Sequence, residues 1–166
     1  MGRAWRGLAA SALALGLVGA AACSDDDDAQ AEDEVVTEED YTATVERLCE
    51  QHGPQLEQEI ADVDNDGASD ADVVSFYRVD YIPRVRATLE ALVEAGLPPE
   101  RAADLLQAFN EINNQLVRLN GDPYGFIDRT RNGDPSNEGT LETFATSVNE
   151  DLAAAGIDCL PATNLA

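Results

Sequence analysis

The chain has 166 residues and no lysine. Its ten basic residues are all arginine, against 33 acidic ones, for a net charge of −23. A surface so short of positive charge repels nucleic acid and anionic lipid heads, so neither is expected as a main partner. Cations or basic partners are the natural counterpart. There is one histidine, and there is no G-x-S-x-G, no phosphate-loop glycine pattern and no H-E-x-x-H. No catalytic constellation is legible, and the chain is read as a non-enzyme. Only a paired-carboxylate hydrolase stays open, because acids are abundant, and Asp122, Asp128 and Arg129 are where its turnover would be sought. Strand-period segments and internal repeats are also missing, which points to an all-α fold.

What is present begins with an address. Arg3 and Arg6 lead a 16-residue uncharged run from Gly7 to Ala22, and Cys23 follows directly. Charge, an apolar core and small residues before a cut have the shape of an export signal. The run falls short of the roughly 20 residues of a spanning helix. Ala21, Ala22 and Cys23 resemble the cleavage region of bacterial lipoprotein precursors, with Ala20 where that family usually has leucine. The resemblance implies a signal peptide over 1–22 and diacylglycerol on Cys23. It further implies a palmitate-type lipid anchor at the extracytoplasmic face of the cell membrane. Ala20-Ala21-Ala22 also suits an ordinary signal peptidase, which would leave Cys23 unmodified.

Removing the signal takes two arginines and no acid, so the charge becomes −25. Cys49 and Cys159 then remain as an even pair in an oxidising compartment. They are expected to form a disulfide enclosing 111 residues. Cys49-x-x-His52 has ligand spacing, but one histidine and two distant cysteines make a poor zinc set.

Residues 24–40 hold ten acids and no base, and read as a disordered, solvated spacer. Residues 41–160 read as a four-helix bundle with kinked helices, followed by a short tail over 161–166. Thr37 is a candidate cap for helix one, which Gly53-Pro54 should kink or break. Its apolar stripe includes Tyr41, Val45, Leu48 and, near Cys49, His52, read as a packed residue. Asp70 should cap helix two, which runs to about Ala95 with a kink at Pro83 and Gly96 as a left-handed cap. Pro99 or Glu100 should open helix three, whose face includes Leu105, Leu106, Phe109, Ile112, Asn113, Leu116 and Leu119. Residues 121–139 read as a long irregular contact loop. Tyr124, Phe126 and Ile127 should pin it, presenting Asp122, Asp128, Arg129 and Arg131 at the surface. Thr140 or Glu138 begins helix four, which Gly156-Ile157 should close.

One segment carries candidate metal chemistry. Asp62, Asp64, Asp66 and Asp70 stand at the side-chain ligand positions of an EF-hand calcium loop, which this stretch resembles. Gly67 matches its turn glycine, and Ala68 would offer a carbonyl. Val73 replaces the bidentate glutamate and Ser69 the aliphatic residue, so any calcium site is expected to be weak. As a plain turn, the same stretch uses Gly67 for its bend and Asp70 as a cap. The whole chain is similar to the small helical lipoproteins of high-GC Gram-positive bacteria. That likeness implies a tethered binding or interaction module for an unknown protein or small ligand.

Overall fold

The computed structural model describes residues 35–65, 67–133 and 139–165; Cys23 and the expected signal and spacer up to Glu34 lie outside the described residues. The chain divides into Met1–Glu32 and a compact unit Asp33–Ala166. The second unit contains every core residue from Tyr41 to Ala162 and the disulfide, so it holds what it needs to fold by itself. It is all-α: four long helical rods and one short helix, with no strand among the described residues. No helix there is long and apolar enough to cross a membrane.

Helix α1 spans Glu38–Asn65. Thr37 caps it reciprocally. Its hydroxyl accepts from the Asp40 amide at 3.2 Å, and its own amide donates to Asp40 Oδ2 at 2.9 Å. The Thr37 hydroxyl also donates to Asp40 Oδ2 at 2.6 Å, and this bond first, then the one from the Thr37 amide, holds the Asp40 carboxyl below its usual range. Three acids in the first turn suit the positive end of the helix dipole. The helix therefore starts three residues before the expected domain boundary. Pro54 lies inside α1, which continues past it, so of the expected kink or break the break does not occur. Gly53 is buried, and a Cβ there would meet Cys159 Cβ at 3.4 Å, whereas Pro54 is exposed. Gly53 is thus a packing seat for the C-terminal segment at Cys159.

The second rod is α2 (Asp70–Ser75), a π-helical turn Phe76–Tyr81, and α3 (Ile82–Ala95) in continuous succession. Pro83 has no amide to offer the preceding turn. The helix absorbs the defect by widening, and the Ile82 amide donates five residues back to Tyr77 O. The expected kink is thus a π turn that delivers Phe76, Tyr77 and Tyr81 to the core. The cap is Ser69, not Asp70. The Ser69 amide donates to Asp72 Oδ2 at 2.9 Å, and its hydroxyl accepts in return from the Asp72 amide.

Gly96 ends α3 at φ 98° and ψ 153°, with the positive φ expected of a glycine cap but a ψ outside the left-handed helical well. A Cβ there would lie 2.5 Å from Val36 Cγ2, so Val36 packs at this corner where a solvated spacer was expected. A turn closed by the Arg101 amide on Pro98 O at 3.0 Å delays α4 to Ala102–Gly121. Its buried face is Leu105, Phe109, Ile112, Leu116 and Leu119, whereas Leu106 and Asn113 fall at the exposed edge.

The expected loop contains helix α5, Pro123–Asn132. Asp122 caps it through Oδ1, which accepts from the Gly125 amide at 3.1 Å. Pro123 opens it, and Gly133 at φ 61° closes it. The last rod, α6, spans Leu141–Ala154 with Thr140 as cap. It closes as expected: the Ile157 amide donates to Leu152 O at 2.8 Å, and Gly156 has φ 77°.

Beyond α6 the chain crosses back over the bundle. The Cys49–Cys159 disulfide forms as expected, with Cα atoms 5.3 Å apart. Tyr41 Oη donates to Ala155 O at 2.8 Å, Tyr81 Oη to Leu160 O at 3.3 Å, and Tyr77 Oη to Thr163 O. Asn149 takes both sides of one peptide unit, with Nδ2 donating to Ala162 O at 3.0 Å and Oδ1 accepting from Ala162 N at 2.7 Å. Ala162 is buried, so the expected tail is part of the core.

Candidate functional site

The calcium-loop residues are placed by the end of α1. Because that helix continues through Asn65, Asp62 and Asp64 are helical positions about 200° apart around the axis. Both are exposed. Asp66 lies outside the described residues, and the Asp70 carboxylate is held by Arg131 of α5. The loop geometry that would turn alternate side chains inward is taken up by helix. Among the described residues no group of three or more acids, histidines or cysteines is gathered to hold a metal.

The expected contact residues are spent largely on holding α5. Arg129 pairs with Asp122 Oδ2 at 3.3 Å, donates from Nε to Gly139 O at 3.0 Å, and lies 5.1 Å over the Phe126 ring. Arg131 joins α5 to α2 through Asp70. Asp128 accepts from Asn132 at 2.9 Å. Phe126 and Ile127 are buried as expected, but Tyr124 is 53 % exposed and pins nothing. The two stretches singled out from sequence therefore meet at Asp70–Arg131 as a structural joint.

A charged cluster lies between α1 and the second rod. Arg84 donates to Glu59 Oε1 at 2.9 Å and to His52 O at 3.3 Å. Burial, then the Arg84 charge, keeps the His52 imidazole below its usual range. Asp80, in the π turn, is pushed up by burial and by Glu59, with Arg84 opposing. Glu59 Oε2 is buried without a hydrogen-bond partner.

A groove of about 720 Å³ lies between α3 and α4. Arg86, Leu89 and Val93 recur along α3 at helical spacing, and Leu106, Phe109 and Asn113 along α4. Val93 and Leu106 are 48 % and 44 % exposed. Arg86 Nε is buried and has no partner. Sequence reading missed this site because its residues sit at the edges of two apolar stripes. The traces available were Leu106 and Asn113 at the margin of theirs, and one arginine among Val85, Leu89 and Val93. No family model, curated protein or solved structure matches the chain.

Proposed function

We propose that the chain is an extracytoplasmic lipoprotein, anchored through diacylglycerol on Cys23, that serves as a non-catalytic binding module at the bacterial cell envelope. The observation that carries this is the cysteine placed directly after a charged lead and an apolar run. The disulfide supports it twice. It suits an oxidising compartment, and it leaves Cys23 as the odd cysteine in need of another role. A single histidine, half-buried against Arg84, supports a binding role over a catalytic one. The α3–α4 groove is the concave surface such a module would use, and its volume falls within the range of small-ligand sites. A calcium role for Asp62, Asp64, Asp66, Ala68 and Asp70 ranks behind it, because Arg131 already occupies Asp70.

The test is fractionation of cells expressing the full chain or its Cys23→Ala variant. The parent should sediment with membranes and the variant should not be lipid-modified or retained. A variant that stays in the membrane fraction refutes the anchor.

A further inference from the structure

We infer that the α3–α4 face docks an amphipathic helix of a partner protein, one with an apolar stripe and basic residues along one flank. This rests on the reading of the chain as a binding module and names the chemistry of its partner.

The shape of the face selects a helix. The connection 96–101 turns α4 back along α3. Arg78, in the π turn before α3, donates from Nη2 to Asn120 O near the end of α4 at 3.0 Å, so the two helices run antiparallel. Leu106, Asn110, Asn113 and Val117 follow one another along α4 at steps of four, three and four residues, which makes them one stripe. Its two ends, Leu106 and Val117, are 44 % and 52 % exposed. Between them the helix rises about 16 Å, three turns. Val93, 48 % exposed, stands across from Leu106, with Leu89 and Phe109 buried beneath. By volume the groove would admit a small ligand. Its apolar walls, however, stand in solvent along a straight trough, the form in which helices are received.

Charge selects the partner. The rim on α3 is Glu90 and Glu94, exposed and one turn apart. Neither has an ion pair among the described residues. The rim on α4 is uncharged, formed by Asn110 and Asn113. Arg86 is half-buried at the far end with its Nε enclosed, so the two exposed carboxylates set the sign. Basic side chains one turn apart on a docked helix would meet them. The chain carries −23 overall, a field that draws in a basic partner and opposes docking of a second copy.

The probe is a labelled synthetic peptide of about 15 residues, near the length at which an isolated helix begins to hold. It carries leucine at three- and four-residue steps, lysine along one flank and glutamine elsewhere. An analogue has glutamate in place of lysine. Fluorescence anisotropy is read with the Ser24–Ala166 domain at low and at physiological salt. Saturable one-to-one binding of the lysine peptide is expected, with the glutamate analogue at least tenfold weaker. Val93→Gln with Leu106→Gln should weaken binding at least tenfold, and Glu90→Gln with Glu94→Gln at least threefold at low salt. Asp62→Asn with Asp64→Asn removes the same charge near the end of α1 and should change affinity less than twofold. All these positions are exposed, so each variant should keep the helical circular-dichroism spectrum. Absence of saturable binding overturns the inference. So does an equal loss from the Asp62/Asp64 and Glu90/Glu94 variants, which would mark nonspecific attraction to an acidic surface. A glutamate analogue that binds as tightly overturns the basic assignment. A dimer in sedimentation that Leu106→Gln dissolves would give the face to a second copy and overturn the proposal. None of these results depends on Cys23, so failure here and failure of the anchor are separable.

Discussion

Two faces of the bundle differ in how their polar groups are answered. Where the C-terminal segment crosses α1 and the π turn, most polar groups meet a partner, with Thr163 Oγ1 the buried exception. Three tyrosine hydroxyls and one asparagine take the carbonyls of Ala155, Leu160, Ala162 and Thr163, and the disulfide fixes the crossing. The phenols are desolvated accordingly: burial pushes Tyr41 up to about 12 against the opposing pull of Arg101, and moves Tyr77 and Tyr81 further. Between α3 and α4 the reverse holds. Apolar side chains stay exposed and a buried guanidinium nitrogen stays unanswered. Among the described residues, irregular backbone closes one face and nothing covers the other. Stability resides in the first face, and the second is where we propose that binding takes place.

The largest effect should come from opening the closed face. Replacing both Cys49 and Cys159 with alanine releases a cross-link over 110 positions. It should cost roughly 4 kcal/mol by urea unfolding, the scale of the chain-entropy model for such a loop. A loss below about 1 kcal/mol would show that the tyrosine and asparagine bonds hold the segment alone.

Asn149→Ala should cost about 2 kcal/mol in the same assay, because it strands both the amide and the carbonyl of the Ala162 peptide unit. Amide exchange should accelerate at 160–163 more than in α4. Uniform acceleration would mean that the segment has no local stability of its own.

The third change lies between the faces, at Asp80. Burial and Glu59 raise its carboxyl pKa, so the folded state binds this proton more tightly than the unfolded chain does. Its contribution is present below the ordinary carboxylate range and is lost as pH rises through the raised folded value. Asp80→Asn should therefore raise the melting temperature modestly at pH 7, with the gain fading toward pH 3. A gain independent of pH would assign the effect to packing.

The smallest effect is expected on the open face. Leu106→Glu removes a side chain that is 44 % exposed. It should leave the unfolding free energy within about 0.5 kcal/mol of the parent. A cost near that of Asn149→Ala would contradict the contrast between the faces.

The rods were legible in the sequence because their apolar positions recur at helical spacing and their ends carry local signals. Thr37, Thr140 and Gly156-Ile157 act as caps where their residue types predict, and Cys49 pairs with Cys159. The errors came where a local signal had two physical outcomes. Asp122-Pro123 and Asn132-Gly133 punctuate a helix as readily as a loop, and here they bracket α5. Pro83 predicts a defect but not its form, and the widened turn depends on the core that receives Tyr77 and Tyr81. Gly53-Pro54 reads as a breaker, yet Gly53 serves as the seat for a segment more than a hundred residues away.

The candidate sites were legible as clusters of residue types and not as geometry. The acids at 62, 64 and 70 fit a calcium loop only while the end of α1 and the partner of Asp70 are unknown. The groove was hidden because it depends on how two stripes meet at their edges. Asn149 gave no signal at all, since its partner is a backbone unit 13 residues away.

Intact-mass spectrometry of the chain purified from the membrane fraction tests the tethered-module reading most directly. The expected mass is that of a chain beginning at Cys23 with diacylglycerol attached and with two hydrogens missing for the Cys49–Cys159 disulfide. A mass equal to an unmodified chain, whether cut at Cys23 or elsewhere, would contradict the anchor and leave the domain as an untethered secreted protein.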